Sequence, residues 1–315
     1  TRISYGTDAG KPGEKQTGDW RNIGLLLAAV EGFSLRNLTL VDAHSWAVSL
    51  ERCSFGTIRD LAFAADGCKH IDGACRPMRN QDGLDLRQGC HDITIDGITG
   101  HSGDDLVALT AIRKPGMGAG TLDSHMVSGL EPDGERDHVH NIIIRNIRGV
   151  AGGHQLVRFL NTGGVAMHTI LLDGVIDTAP ADRPDRAVVV IGDSNPAWGG
   201  VTPLGDTYGF MISNVRGRAR DLVEIRGSLC DSVLTNLLYT PEQGAAVRYT
   251  SGREYARNVA VSQTVCLRQP APASACPPRA AARRPLTEAP RRAAFIGAHP
   301  DDAEVCGGGL ALLYR

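Results

Sequence analysis

The chain has 315 residues, with 33 Lys and Arg against 35 Asp and Glu, and a formal net charge of −2. That length is enough for a large buried core, and the charge balance gives no reason to expect nucleic acid as a partner. The longest apolar run, Ile23 to Val30, is too short to cross a membrane. No signal peptide is visible, and the first residue is Thr1 rather than Met. A preceding segment is therefore expected, and a secreted or periplasmic setting stays open.

Seven short segments share one pattern in chain order. They are Ser34-Leu35-Arg36-Asn37-Leu38, Thr57-Ile58-Arg59-Asp60-Leu61, Thr94-Ile95-Asp96-Gly97-Ile98, Ile143-Ile144-Arg145-Asn146-Ile147, Leu171-Leu172-Asp173-Gly174-Val175, Met211-Ile212-Ser213-Asn214-Val215 and Val233-Leu234-Thr235-Asn236-Leu237. The second position is Leu or Ile and the fifth is Leu, Ile or Val. The fourth is Asn, Asp or Gly, the residues that tolerate a left-handed backbone. The starts lie 23, 37, 49, 28, 40 and 22 residues apart, so the base unit is about 22 residues and the excess is loop.

A second apolar run follows each segment: Trp46 to Leu50, Leu84 to Leu86, Leu106 to Leu109, Leu156 to Leu160, Ala187 to Ile191, Leu222 to Ile225 and Ala246 to Tyr249. Short strands at even spacing, with a sharp bend at the fourth position and variable insertions, predict an all-β parallel β-helix over residues 1–267. Its coils stack about 4.8 Å apart. An irregular β-sandwich is the alternative, but it does not explain seven permissive residues in one register.

The eight cysteines fit no zinc-ribbon spacing. Cys53, Cys90 and Cys230 each follow a second strand and are expected as small inward-facing residues at one corner. Cys68 and Cys75 are close enough in the chain to pair in a loop.

The carboxylates follow the repeat. Asp82, in Asn80-Gln81-Asp82-Gly83, precedes Asp104, in Gly103-Asp104-Asp105, by 22 residues. Asp82 and the pair Asp104/Asp105 therefore fall on successive coils and converge on one face. Carboxylates gathered this way suit acid–base hydrolysis of a glycosidic bond. Several in one place cannot all ionise freely, so one is expected to keep a proton. Aspartates at turns also serve as plain bends, the role expected of Asp85, Asp96 and Asp173. Trp198 and Tyr208, in the loop 194–209, are candidates for packing against a sugar ring. Trp46 is expected in the core.

With Gly152-Gly153-His154 following in order, these motifs resemble glycoside hydrolase family 28, the polygalacturonase-like members of the pectin-lyase-like right-handed β-helices. The resemblance implies Asp104 as general acid, with Asp82 and Asp105 holding the attacking water in an inverting mechanism. His154 then sits beside the acid and helps set its protonation. Asn80 and Arg158 complete the implied substrate contacts, and the β-helix needs no cofactor. Gln81 replaces the usual Thr, and Gln155 follows the His where that family has Gly. The Arg-Ile-Lys segment that holds a uronate in polygalacturonases is missing from the next coil, so the resemblance does not extend to pectin. Arg158, one coil earlier, is the candidate replacement.

Residues 268–292 are rich in Pro, Ala and Arg and read as a linker. Beyond it, residues 293–315 read strand, polar loop, glycine turn and helix start. Here Ala298-His299-Pro300-Asp301-Asp302-Ala303-Glu304 resembles the opening motif of the PIG-L-like (LmbE-type) zinc-dependent deacetylases of N-acetylated sugars. The resemblance implies His299 and Asp302 as zinc ligands and Asp301 as the base. The remaining His ligand of that family lies further downstream, so only the truncated start of an α/β deacetylase domain is expected, with zinc implied only for a complete domain.

Three functions follow as expectations. The first is an inverting glycoside hydrolase of an oligo- or polysaccharide. The second is a carbohydrate-binding β-helix without turnover, fused to the deacetylase. The third is a polysaccharide lyase, which would use a basic residue or calcium. A monomer is expected, with no nucleic-acid or membrane partner.

Overall fold

The computed structural model describes residues 23–43, 45–71, 74–78, 80–111, 137–162, 165–196 and 199–267. Trp198, the linker 268–292 and the deacetylase-like motif with His299, Asp301 and Asp302 lie outside the described residues. The chain divides into two units, Thr1–Arg268 and Gln269–Arg315, and the described residues all belong to the first.

Numbered along the chain, the strands begin β1 (Leu25–Ala28), β2 (Ser34–Val41), β3 (Val48–Glu51), β4 (Ser54–Ala64), β5 (Cys68–Ile71) and β6 (Ala74–Pro77). They continue β7 (Leu84–Leu86), β8 (His91–His101), β9 (Val107–Ala111), β10 (Val139–Val150), β11 (Gln155–Asn161) and β12 (Met167–Asp177). The last are β13 (Ala187–Ile191), β14 (Thr207–Arg216), β15 (Asp221–Ile225), β16 (Leu229–Tyr239), β17 (Val247–Tyr249) and β18 (Ala256–Cys266). One sheet has the order β1-β3-β7-β9-β11-β13-β15-β17 and the other β18-β16-β14-β12-β10-β8-β4-β2. All pairs in both eight-stranded sheets are parallel. The chain alternates between the sheets and each strand pairs with the one a coil earlier, an all-β arrangement consistent with a parallel β-helix.

The seven segments align in register. Leu35, Ile58, Ile95, Ile144, Leu172, Ile212 and Leu234 form one column of partners in the second sheet. From Ile58 onward they are almost wholly buried, in the same core as Leu50, Leu84, Leu109, Phe159 and Ile191 of the first sheet. All seven fourth-position residues have positive φ: Asn37, Asp60, Asn146, Asn214 and Asn236 between 53° and 57°, Gly97 81° and Gly174 78°. The bend falls inside each long strand rather than between two strands.

A second column of positive φ sits five residues earlier, at Gly32, Phe55, Asp92, Asn141, Thr169, Gly209, Asp231 and Asn258. An eighth coil, with Asn258 and Gln263 in the two bends, extends the stack beyond the seven segments. The exposed polar bend residues bond along the stack: Asn146 Nδ2 donates to Asp96 Oδ1 at 2.7 Å, and Asn214 Nδ2 to Asp173 Oδ1 at 2.6 Å. Asp96 and Asp173 are thus structural, as expected.

Cys53, Cys90 and Cys230 are fully buried, and burial pushes the Cys90 thiol up to about 12. Cys68 and Cys75 form a disulfide across the antiparallel hairpin β5–β6, an insertion between β4 and β7. Trp46 is buried, with the Arg87 guanidinium 4.5 Å over its ring.

Asn146 is exposed, left-handed and bonded to the preceding coil. Replacing it by Val forces a β-branched residue into that backbone and removes the bond, at a cost of roughly 1–2 kcal/mol. Asn146→Gly keeps the bend and loses less than Asn146→Val. Denaturant unfolding of the two variants measures the difference.

Candidate active site

The expected carboxylates meet at the corner where second-sheet strands end and first-sheet strands begin. Two successive coils supply them, and the next adds His154. The Gly83 N–H donates to the Asp105 carbonyl at 3.0 Å and the Asp104 N–H to the Gln81 carbonyl at 3.3 Å, which sets Asp82 beside the Asp104/Asp105 pair. On the next coil the Gln155 N–H donates to Asp105 Oδ1 at 3.2 Å. His154 Nδ1 lies 2.8 Å from Asp104 Oδ1. Asp82, Asp104 and Asp105 are therefore brought together as the repeat spacing predicts, and His154 joins them as the family resemblance implies.

Local backbone chemistry fixes each piece. Gly152 and Gly153 take φ of 58° and 96°, a turn closed to most L-residues. The Asp185 carboxylate, from the coil beyond, accepts the N–H groups of Ala151 at 2.7 Å and Gly153 at 2.8 Å. This pins the turn that presents His154. Gln81 is fully buried. Its Nε2 donates to the carbonyls of Ala43 at 2.6 Å and Cys68 at 3.0 Å, and its Oε1 accepts the Gly67 N–H at 2.7 Å. That clamp ties the disulfide hairpin to the coil.

Exposure separates the carboxylates into two levels. Asp82 and Asp105 are buried, whereas the Asp104 side chain keeps 18% and that of His154 47% of its surface. Burial, then the charges of Asp85, Asp104 and Asp105, hold the Asp82 carboxyl well above the usual range. Burial likewise pushes Asp105 up to about 6, against the opposing charge of Arg158. The hydrogen bond to Asp104 raises His154 above an ordinary imidazole. The proton expected to remain in the cluster thus belongs to the deep carboxyls.

Arg158 and Asp85 project from the outer face of the first sheet in one column, with Ala108 between them. Asp85 was expected to be only a bend. It is instead 1% exposed, lies in β7, and is the first of the charges acting on Asp82, so it belongs to the cluster. Arg158 Nη2 donates to Asp193 Oδ2 at 2.7 Å, and Nη1 lies 3.5 Å from Asp105 Oδ2. Asp193 and Asp185 were not singled out in the sequence. Their only signal there was a place just outside a strand one coil beyond the motifs. Asn80 enters as a left-handed bend with φ 53°, its carbonyl accepting the Ser45 hydroxyl at 3.3 Å.

Tyr208 does not join this corner. It lies in β14 of the second sheet, not in a loop, where it ends a column of stacked rings with His91, His140 and His168. The neighbouring groove of about 430 Å³, lined by Asp92, Asn141, Thr169 and Met211, is on that same sheet. The Gly- and Pro-rich stretch 194–209 gave no sign that the strand starts at Thr207.

No protein-family model matches the chain, and no curated protein matches it. The chemistry of the corner therefore follows from its own residues: two reachable groups, Asp104 and His154, above two buried carboxyls that keep their protons to higher pH than an ordinary aspartate. Asp104, Asp105 and His154 also offer one donor atom each within 4.8 Å of one another, a set able to hold a divalent cation.

The raised carboxyls link stability to pH. A carboxyl whose folded pKa is raised favours the fold below its ordinary value and loses that contribution as pH rises through the folded value, about 6 for Asp105. Asp82 and His154 act in the same direction. Asp82→Asn, which needs no proton to be neutral, is therefore expected to melt higher than the native chain at pH 8. The gap narrows as pH falls and closes only near the ordinary aspartate value of 3.8. Thermal melts across that range check it.

Proposed function

We propose that this chain is a carbohydrate-active protein that hydrolyses a glycosidic bond of an oligo- or polysaccharide with inversion, on a right-handed β-helix of the family 28 kind. The observation that carries the proposal is the convergence of Asp82, Asp104, Asp105 and His154 from three coils, with Asp104 and His154 paired at 2.8 Å on the exposed side.

Asp104 is the general acid, since it is the carboxyl a glycosidic oxygen can reach. His154 lends it a proton through the shared hydrogen bond. Asp82 and Asp105 hold the attacking water below. Asp105 is the base once ionised, and Arg158 beside it favours that ionised form. Inversion is taken from the family resemblance.

Replacing a positioned acid removes a factor of about 10²–10⁴ in turnover. NMR-monitored hydrolysis of neutral, uronic and N-acetylated oligosaccharides is expected to show turnover by the native chain, with the anomer inverted, and loss of that order in Asp104→Asn. The rate should rise with pH through about 6 as Asp105 ionises, and fall again above the ordinary imidazole range as His154 loses its proton. Binding without turnover in both forms would make the β-helix a targeting module for the deacetylase-like segment around His299, Asp301 and Asp302.

The donor set Asp104, Asp105 and His154 favours one further reading, a cation-dependent lyase. Unsaturated products and loss of activity on chelation would select it over hydrolysis.

A further inference from the structure

We propose that the column of stacked imidazoles His91, His140 and His168 is an acid-sensing element of the fold: neutral, it packs three coils together, and charged, it drives them apart. The strands concerned are those that lead into the corner. β8 runs from His91 toward Asp104 and Asp105, β10 carries His140 and runs toward His154, and β12 carries His168 and runs toward Asp185.

The geometry comes first. The rings are register partners on adjacent strands, His140 with His91 on one side and with His168 on the other. Their planes are parallel to within 3°, with centroids 4.9 Å and 5.0 Å apart, so the ring spacing is the coil spacing itself. Tyr208 continues the stack at 4.8 Å, Phe55 meets His91 edge-on at 5.7 Å, and His138 meets His168 edge-on at 6.0 Å. Each ring is also tied to the left-handed residue that follows it. His91 Nδ1 lies 2.7 Å from Asp92 Oδ2, His168 Nδ1 lies 3.0 Å from Thr169 Oγ1, and Asn141 bonds His140. The rings therefore cannot move apart without disturbing that column of bends.

Four imidazoles thus share one face, within reach of one another's charge. The groups acting on His140 are His91, His138 and one carboxylate, Asp92. Asp92 is itself engaged by His91 and by Asn141 Nδ2 at 3.2 Å. Among the described residues, the charges acting on His168 are His140 and His138, with no acid to offset them. The ring from β14 is the Tyr208 phenol and the ring from β4 is Phe55. Two like charges at this spacing repel even in a watery surround. Burial, then the neighbouring imidazoles, hold His140 and His168 below an ordinary imidazole. A folded-state value lowered in this way gives stability that is full above the ordinary 6.5 and is lost as pH falls through the folded value. The sign is opposite to that of the corner carboxyls. Acid therefore loosens these coils at one end of their strands and favours them at the other.

Thermal melts of the whole chain and of His140→Phe, at pH 8 and at pH 5, test this. Phenylalanine keeps a flat ring in the stack, as Phe55 and Tyr208 do at its ends, and takes no proton. Both forms share the corner, so the difference between them isolates the column. The melting temperature of the variant, relative to the native chain, is expected to be higher at pH 5 than at pH 8. His168→Phe is expected to act in the same direction. In parallel, proton NMR of the native chain should show His140 and His168 titrating below 6.5. The His168 signal should move to higher pH in His140→Phe.

A difference in melting temperature that is the same at both pH values would overturn the proposal. So would titration of His140 and His168 at or above 6.5 in the native chain, a result that requires no variant to fold. Neither measurement involves a substrate, so the outcome stands apart from the hydrolase reading.

Discussion

Two left-handed bends, five residues apart in every coil of the second sheet, are the constraint on which the rest depends. They recur at Gly32 and Asn37 in the first coil and at Asn258 and Gln263 in the last. Because both bends keep register, the column from Ile58 to Leu234 between them stays buried in every coil from β4 to β16. Side chains such as Asn146 and Asn214 then bond along the stack. Insertions of any length are absorbed elsewhere. The hairpin β5–β6 and the segment between β9 and β10 therefore leave the register of Asp82, Asp104 and His154 undisturbed.

That rigid register makes the acidic corner affordable. Three coils deliver carboxylates to one place whose mutual repulsion and burial oppose folding. The fold tolerates them by keeping protons on the deep pair and by setting Arg158 between Asp105 and Asp193. The turn at Gly152–Gly153, tied to Asp185, then sets His154 at the open side. Strain concentrated where chemistry is expected, on a scaffold that over-determines it, is the usual relation between stability and function.

Much of this was legible in the sequence, for identifiable reasons. The first bend column is written in Asn, Asp and Gly, which advertise their backbone. The second includes Phe55 and Thr169, which do not, and so passed unnoticed. The eighth coil was hidden because Gln263 and Thr264 stand where Asn or Gly and an apolar residue were sought. At the site, Asp82 and Asp104 are legible because chain spacing maps directly onto stacked coils, whereas His154, beyond a long insertion, is legible only through the family resemblance. Asp193, Asp185 and the role of Asp85 depend on which face of a strand each side chain takes and on what reaches it from the next coil, which spacing alone does not give. Tyr208 was misplaced because an aromatic residue in a Gly- and Pro-rich stretch resembles a loop contact as much as a strand start.

The measurement that tests the account most directly is a titration of the aspartate side-chain carboxyls by carbon-13 NMR, with signals assigned through Asp82→Asn and Asp105→Asn. The account predicts one carboxyl changing ionisation near pH 6 at Asp105 and another at Asp82 well above the ordinary range. If both titrate near 4, like exposed aspartates, burial and mutual repulsion do not set the state of the corner, and the rise in rate assigned to ionisation of Asp105 near pH 6 has no basis.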